Sequence, residues 1–107
     1  MLQSGQSDEH QVQLGVLVHS EGDDVGVAIR DLEAGEVLAG WLDTERRAPV
    51  TVIERVPFGH KVALEDIAEG AEVTEYAVRI GLSRQRIARG ELVHTHNLRS
   101  ARWPQSV

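Results

Sequence analysis

Val27-Ala28-Ile29-Arg30-Asp31-Leu32-Glu33-Ala34-Gly35 returns further along the chain as Val62-Ala63-Leu64-Glu65-Asp66-Ile67-Ala68-Glu69-Gly70. Val, Ala, Asp and Gly are identical in the two copies, and the aliphatic positions are exchanged conservatively. A third, partial copy follows, in which Ile87-Ala88-Arg89-Gly90-Glu91-Leu92-Val93 echoes Leu32-Glu33-Ala34-Gly35-Glu36-Val37-Leu38. A repeat of this kind is the first thing to explain in a fold. Asp31 and Asp66 stand where a side-chain oxygen caps the free amides of a single helical turn, with Ser83 in that place in the third copy. Each turn drops one aliphatic residue inward (Leu32, Ile67 or Ile87) and ends at a glycine, which takes the left-handed conformation that reverses a chain. A strand follows each time. So few copies cannot stack as a solenoid, and the reading is a mainly β domain with short one-turn helices at its corners.

The flanking segments fit around these corners. Val12–Val18 alternates like a strand and leads into the turn-rich Ser20-Glu21-Gly22-Asp23-Asp24. Glu36–Leu42 and Val50–Val56 are strand candidates joined by the polar loop Asp43–Pro49. Glu72–Ile80 reads as one further strand, and Leu92–Asn97 as the last. Residues 1–11 read as a disordered tail, 12–98 as the domain and 99–107 as a C-terminal tail.

At 107 residues the chain has the size of one domain. A domain this small buries only roughly 60–70% of the surface its unfolded chain exposes, which leaves little material for a deep cleft. The net charge of −6 argues against nucleic acid, since phosphate binding needs a basic footprint. No apolar run is long enough to span a membrane, and the polar start lacks a secretory pattern. With no cysteine there is no disulfide framework or thiol chemistry. These features lead to the expectation of a cytoplasmic protein. No Walker loop, dinucleotide fingerprint or Ser–His–Asp arrangement can be argued.

Five histidines carry the chemistry that remains. On a strand over Leu92–Asn97, His94 and His96 would point to one face, about 7 Å apart, and could grip one divalent metal. His60, after Pro57-Phe58-Gly59, and His19, at the end of the first strand, are the candidates for a third imidazole. A bare His-x-His is common by chance and does not establish a metal by itself. His10 lies in the tail, and Arg84, Arg86 and Arg89 read as a solvated surface.

Together, Val27–Glu36, Phe58-Gly59-His60-Lys61-Val62-Ala63-Leu64, Asp66-Ile67-Ala68-Glu69-Gly70 and Gly90-Glu91-Leu92-Val93-His94-Thr95-His96-Asn97 resemble a known family. It is the SAF domain that opens altronate and galactarate dehydratases and forms the small subunit of sulfolactate sulfo-lyase. The likeness runs from about Val16 to Asn97. It implies a β-clip fold with pseudo-symmetric halves, and a lyase that removes water, or sulfite, from a hydroxy acid with the help of a divalent metal, iron(II) being the expected one.

Carried over by position, His19, His60, His94, His96 and Asn97 face the active site. His19, His60 and Lys61 are the catalytic candidates, His94 and His96 the metal ligands, and Asn97 a substrate contact; Lys61 would meet a carboxylate. The resemblance also implies a separate large catalytic subunit and an anionic sugar-acid substrate, with no nucleic acid or membrane partner; a homo-oligomer stays open. In one place the chain departs from the pattern. Glu75-Tyr76-Ala77 stands where the family often has Lys-Tyr-Gly, so a carboxylate that would repel an anionic substrate replaces a lysine. Two other readings compete: an SAF module that binds a carbohydrate or a partner chain without chemistry, and a stand-alone cupin-like metal enzyme.

Overall fold

A computed structural model of the chain describes residues 12–100. The tail read at 1–11, with His10, and residues 101–107 of the tail read at 99–107 lie outside the described residues. Among the described residues nine strands form two sheets: β1 (Leu14–Val18), β2 (Val25–Ala28), β3 (Gly35–Trp41), β4 (Arg47–Val52), β5 (Lys61–Ala63), β6 (Glu72–Glu75), β7 (Val78–Ser83), β8 (Leu92–Val93) and β9 (Leu98–Ser100). The larger sheet runs β4-β3-β1-β2-β5-β8 and the smaller β6-β7-β9. All neighbours are antiparallel except β1 and β3. This is the mainly β architecture that the repeat predicts, and it is consistent with the β-clip that the resemblance implies.

The corners are built differently from the expectation. Among the described residues no helix forms, and each one-turn helix is replaced by a bend, a single bridging residue and a glycine of positive φ. Leu32 exchanges both backbone hydrogen bonds with Val56, at 2.8 and 2.9 Å, and Ile67 does the same with Ile87, both at 2.8 Å. The corners thus come as two facing pairs, and a fourth copy of the motif, Arg55-Val56-Pro57-Phe58-Gly59, completes the set. Leu32, Val56, Ile67 and Ile87 are all buried, and Gly35, Gly59, Gly70 and Gly90 all have positive φ.

Facing pairs change what the aspartates cap. Asp31 Oδ1 accepts from the Phe58 amide at 2.8 Å, and Asp66 Oδ1 from the Arg89 amide at 2.9 Å, so each caps the opposite corner rather than its own. Ser83 caps no turn of its own either. It ends β7, where its hydroxyl accepts from the Ala71 amide at 3.1 Å and donates to the Ala68 carbonyl.

Two apolar clusters match the two halves. One gathers Val16, Val18, Leu32, Val37, Val52, Val56 and Val62; the other gathers Val25, Ala63, Ile67, Val73, Ile87 and Val93. With few aromatic residues, closely spaced strands are filled by β-branched side chains that suit a pleated surface.

Three strand expectations are corrected. Glu72–Ile80 is not one strand but the hairpin β6–β7, turning at Tyr76 and Ala77, whose φ values are 58° and 63°. Two consecutive left-handed residues match the twist of a two-residue hairpin. Val50–Val56 ends at Val52, because Arg55 and Val56 belong to the fourth corner. Leu92–Asn97 is a strand only at Leu92 and Val93; His94–Asn97 forms a turn, and β9 pairs with β7 as far as Ser100, past the domain end placed at residue 98. Among the described residues no helix is long and apolar enough to cross a membrane.

Candidate functional site

Strand β5 organises the site. Its antiparallel pairing with β8 sets Lys61 opposite Val93, and the residues just outside, His60 and His94, come side by side. Their ring centroids are 5.0 Å apart with planes inclined at 61°. His60 is held from behind by its corner: the Ala28 amide donates to the His60 carbonyl at 2.9 Å, and the His60 amide to the Pro57 carbonyl at 3.0 Å. The His60 ring nitrogen Nδ1 lies 3.4 Å from the Phe58 carbonyl oxygen.

His94 is held by Asn97. The Asn97 side chain is fully buried; its Oδ1 accepts from the His94 amide at 2.8 Å and its Nδ2 donates to the Leu92 carbonyl at 2.8 Å. Nδ2 also reaches Glu91 Oε2 at 3.3 Å, while Glu91 Oε1 takes the Ala88 amide at 2.8 Å. A side-chain amide that completes backbone hydrogen bonds this locally competes with strand pairing, and here it wins. The His94–His96 pairing expected from strand alternation therefore loses its geometric basis. His96 is exposed and, among the described residues, makes no hydrogen bond, ion pair or ring contact. Both polar ends of Asn97 are committed to the turn.

Lys61, the next residue of β5, belongs to a second group of contacts. Lys61 Nζ lies 3.6 Å from Glu75 Oε1, and the Glu75 side chain is only 6% exposed. Burial pushes the Glu75 carboxyl above its ordinary value, and Lys61 pulls part of the way back; His19 adds a smaller pull in the same direction as Lys61. Glu75 therefore does not stand as a bare charge against an anion, because Lys61 partners it. The His19 ring packs on Tyr76 with centroids 3.7 Å apart.

Tyr76 is fixed by Asp23, which is 4% exposed. Asp23 Oδ2 accepts from the Tyr76 amide at 3.0 Å and the Ser20 amide at 3.2 Å, and Oδ1 accepts from the Ala77 amide at 3.1 Å. Asp24 completes the clasp: its amide donates to the Thr74 carbonyl and its Oδ2 accepts from the Thr74 amide, both at 2.8 Å. This clasp holds the hairpin against the larger sheet. The residue types gave no hint of Asp23, Asp24, Glu91 or the Lys61–Glu75 pair as site builders, although the turn chemistry of Ser20–Asp24 was a partial signal.

Of the residues expected at the site, the structure pairs His60 with His94, whose turn Asn97 holds, and from the next residue of β5 links Lys61 through Glu75 to His19; His96 stands apart. An open cavity of about 340 Å³ lies at the Lys61–Glu75 pair, lined also by Tyr76, Ile80, Leu98 and Ser100. A larger one of about 460 Å³, around Trp41, Arg46 and Arg89, touches none of the residues expected at the site. Among the described residues no three His, Asp or Glu side chains converge as a metal-holding group. Two neighbouring imidazoles are by their chemistry suitable donors for iron(II) or zinc, and two would leave other coordination positions open.

Comparison with known proteins agrees with this architecture. The family model for the altronate/galactarate dehydratase SAF domain matches residues 14–101. The (2R)-sulfolactate sulfo-lyase subunit alpha of Chromohalobacter salexigens is 40% identical over 94 residues, covering 86% of this chain and 100% of that subunit. Altronate dehydratase of Escherichia coli is 42% identical over 78 residues, covering 73% of this chain, and that of Bacillus subtilis is 32% identical over 85 residues, covering 79%. The chain spans 15% and 16% of those two dehydratases. By the extent of the family match and the length of these alignments, the chain belongs to the altronate/galactarate dehydratase SAF domain family.

Proposed function

We propose that this chain is the small SAF subunit of a cytoplasmic lyase that eliminates water from a sugar acid, in partnership with a larger catalytic polypeptide. The observation that carries the reading is the open surface at the start of β5, where the His60–His94 pair adjoins in sequence the linked group Lys61–Glu75–His19–Tyr76. It presents imidazoles and one lysine at a surface without enclosing a substrate, as a half-site completed by a second chain would. Pockets that hold small molecules bury most of the ligand, and this one does not.

The reaction removes the proton on the carbon bearing the carboxylate. The electron pair left behind forms the new double bond, and the hydroxyl on the next carbon departs as water. The enol that results becomes a 2-keto acid by proton transfer. A histidine suits the proton removal because its affinity for protons is close to the working pH. His19, braced by Tyr76, is the imidazole assigned to it. Lys61 orients the substrate carboxylate, with Glu75 limiting how strongly it holds that anion. Asn97 acts as a positioning residue for His94 and does not contact the substrate. A divalent metal, iron(II) being the expected one, would supply stabilisation of the negative charge that builds on the carboxylate. His60 and His94 are this chain's groups for holding it.

A second reading has its own support. The match to a sulfolactate sulfo-lyase subunit alpha runs the whole length of that subunit. In that case the same proton is removed and sulfite leaves in place of water. The test is to co-purify the chain with a candidate large subunit and to assay hexonates, hexarates and sulfolactate. Product would be followed as 2-keto acid, with sulfite read separately. Activity that persists undiminished in the His60→Ala, His94→Ala double variant would defeat the proposal.

A further inference from the structure

The geometry points to His60 and His94, not His94 and His96, as a two-imidazole site for a divalent transition-metal cation that the chain binds by itself. In the assembled enzyme the remaining positions would be filled from the partner, and that part rests on the reading above.

Three observations converge. First, the separation fits. Metal–nitrogen distances are about 2.1 Å and the ring centre lies roughly 1 Å further out, so two imidazoles on adjacent tetrahedral or octahedral positions have centroids about 4.5–5 Å apart. The observed separation is 5.0 Å.

Second, the placement of the His60 ring suits a ligand. Ligating histidines usually donate their other ring N–H to a carbonyl or carboxylate, which frees the second nitrogen for the metal. His60 Nδ1 lies 3.4 Å from the Phe58 carbonyl oxygen, and the tautomer protonated at Nδ1 would donate there and present Nε2 to a metal.

Third, both backbones are fixed while the rings stay within reach of solvent. The Lys61–Val93 register and the corner at Gly59 set His60, and the Asn97–Glu91 clamp sets His94. The adjacent Lys61 ammonium is paired with Glu75, which reduces its repulsion of an incoming cation. No comparable support reaches His96.

The test uses the full chain with His10→Ala, so that the tail imidazole adds no affinity. Cobalt(II) is titrated by calorimetry and by NMR of the histidine ring protons. The His60 and His94 ring signals should shift or broaden together. His60→Ala and His94→Ala should each weaken binding about tenfold or more, the scale on which losing even an outer-shell partner acts. His96→Ala and His19→Ala should change it less than about twofold. A tenfold loss with His96→Ala, or an affinity that His60→Ala leaves untouched, overturns the assignment. Amide spectra confirm that each variant keeps its fold. Because the measurement needs no partner and no turnover, its failure is distinct from failure of the lyase assay.

Discussion

Replacing Asn97 with alanine separates two jobs that one residue could have at this place. As a substrate contact on an open face, Asn97 could be truncated for within about 0.5 kcal/mol of stability. The structure instead buries it completely and uses it three times, for the His94 amide, the Leu92 carbonyl and Glu91. Two neutral hydrogen bonds contribute about 1 kcal/mol each, and the long contact to a carboxylate adds a comparable amount. Leaving the His94 amide and the Leu92 carbonyl unpaired costs about 1–3 kcal/mol apiece where water cannot replace the lost partner. Partial access of water at this turn brings the expected total to about 3–4 kcal/mol. Against the roughly 5–15 kcal/mol that stabilises a typical domain, this is a large loss. With a urea slope of about 1–1.5 kcal/mol per molar for a chain this small, the midpoint of unfolding followed by circular dichroism should fall by about 2 M or more. A shift worth less than about 1 kcal/mol would refute the clamp and return Asn97 to the list of direct contacts.

The other predictions concern the hairpin, the buried carboxyl and the glycine corners. Asp23→Ala removes the acceptor for three amides, two of them at exposed residues that water can reach, so it should cost about 2 kcal/mol in urea unfolding. It should also speed hydrogen exchange at Tyr76 and Ala77; unchanged exchange there would remove Asp23 as the clasp. Burial raises the Glu75 carboxyl above its ordinary 4.5, so the folded state holds that proton more tightly than the unfolded chain does. The resulting stabilisation is complete below about pH 4.5 and is lost as pH rises through the elevated value. Glu75→Gln should therefore gain stability relative to the natural chain as pH rises from about 4 to 7, and an opposite trend in melting temperature would contradict the burial argument. Gly59 and Gly90 have nearly the same φ, 85° and 87°, but a Cβ on Gly59 meets nothing within 4 Å, whereas on Gly90 it would lie 2.0 Å from the Thr51 carbonyl oxygen. Gly59→Ala should cost about 1–2 kcal/mol of left-handed strain. Gly90→Ala should exceed about 4 kcal/mol or fail to fold, and equal melting points would show the corners to be misplaced.

Much of the β framework could be read from the repeat, because an aliphatic residue three before a glycine has one economical use in a strand-rich chain. The fourth corner escaped the residue-by-residue comparison because Pro57 and Phe58 occupy places that are alanine or charged elsewhere. Glycine spacing alone would have found it, since Gly35, Gly59, Gly70 and Gly90 each follow a buried aliphatic residue by three. The β6–β7 hairpin was hidden for a different reason. A turn with two left-handed residues is normally announced by Asn or Gly, and here Tyr76 and Ala77 adopt it with Asp23 receiving both of their amides. That help comes from a residue distant in sequence, so no local window contains it. The Lys61–Glu75 pair is tertiary in the same sense, and the charge of Glu75 alone suggested repulsion where the fold makes a partnership. His94 and His96 illustrate a reading whose premise was conditional, since alternation places two side chains together only while the strand lasts. Asn97, a residue type that readily captures nearby backbone groups, was the local sign that the strand ends.

The pseudo-symmetry also shows how a site arises from a duplicated scaffold. The Gly59 amide donates to the Ala28 carbonyl and the Ala28 amide to the His60 carbonyl; in the other half the Gly90 amide donates to the Ala63 carbonyl and the Ala63 amide to the Glu91 carbonyl. His60 and Glu91 therefore occupy equivalent backbone positions, each just after the glycine of its corner. Their backbones do the same structural work, which frees the side chains to differ. Glu91 turns its carboxylate to the Ala88 amide and to Asn97, strengthening the turn that carries His94. His60 in the other half meets the imidazole that this turn presents. One half of the repeat thus supplies a ring and the other supplies both a second ring and the clamp that holds it. Neither half contains the arrangement alone. The sheet pairing of β5 with β8 joins them, so the strand register that closes the fold is also the coordinate that defines the site.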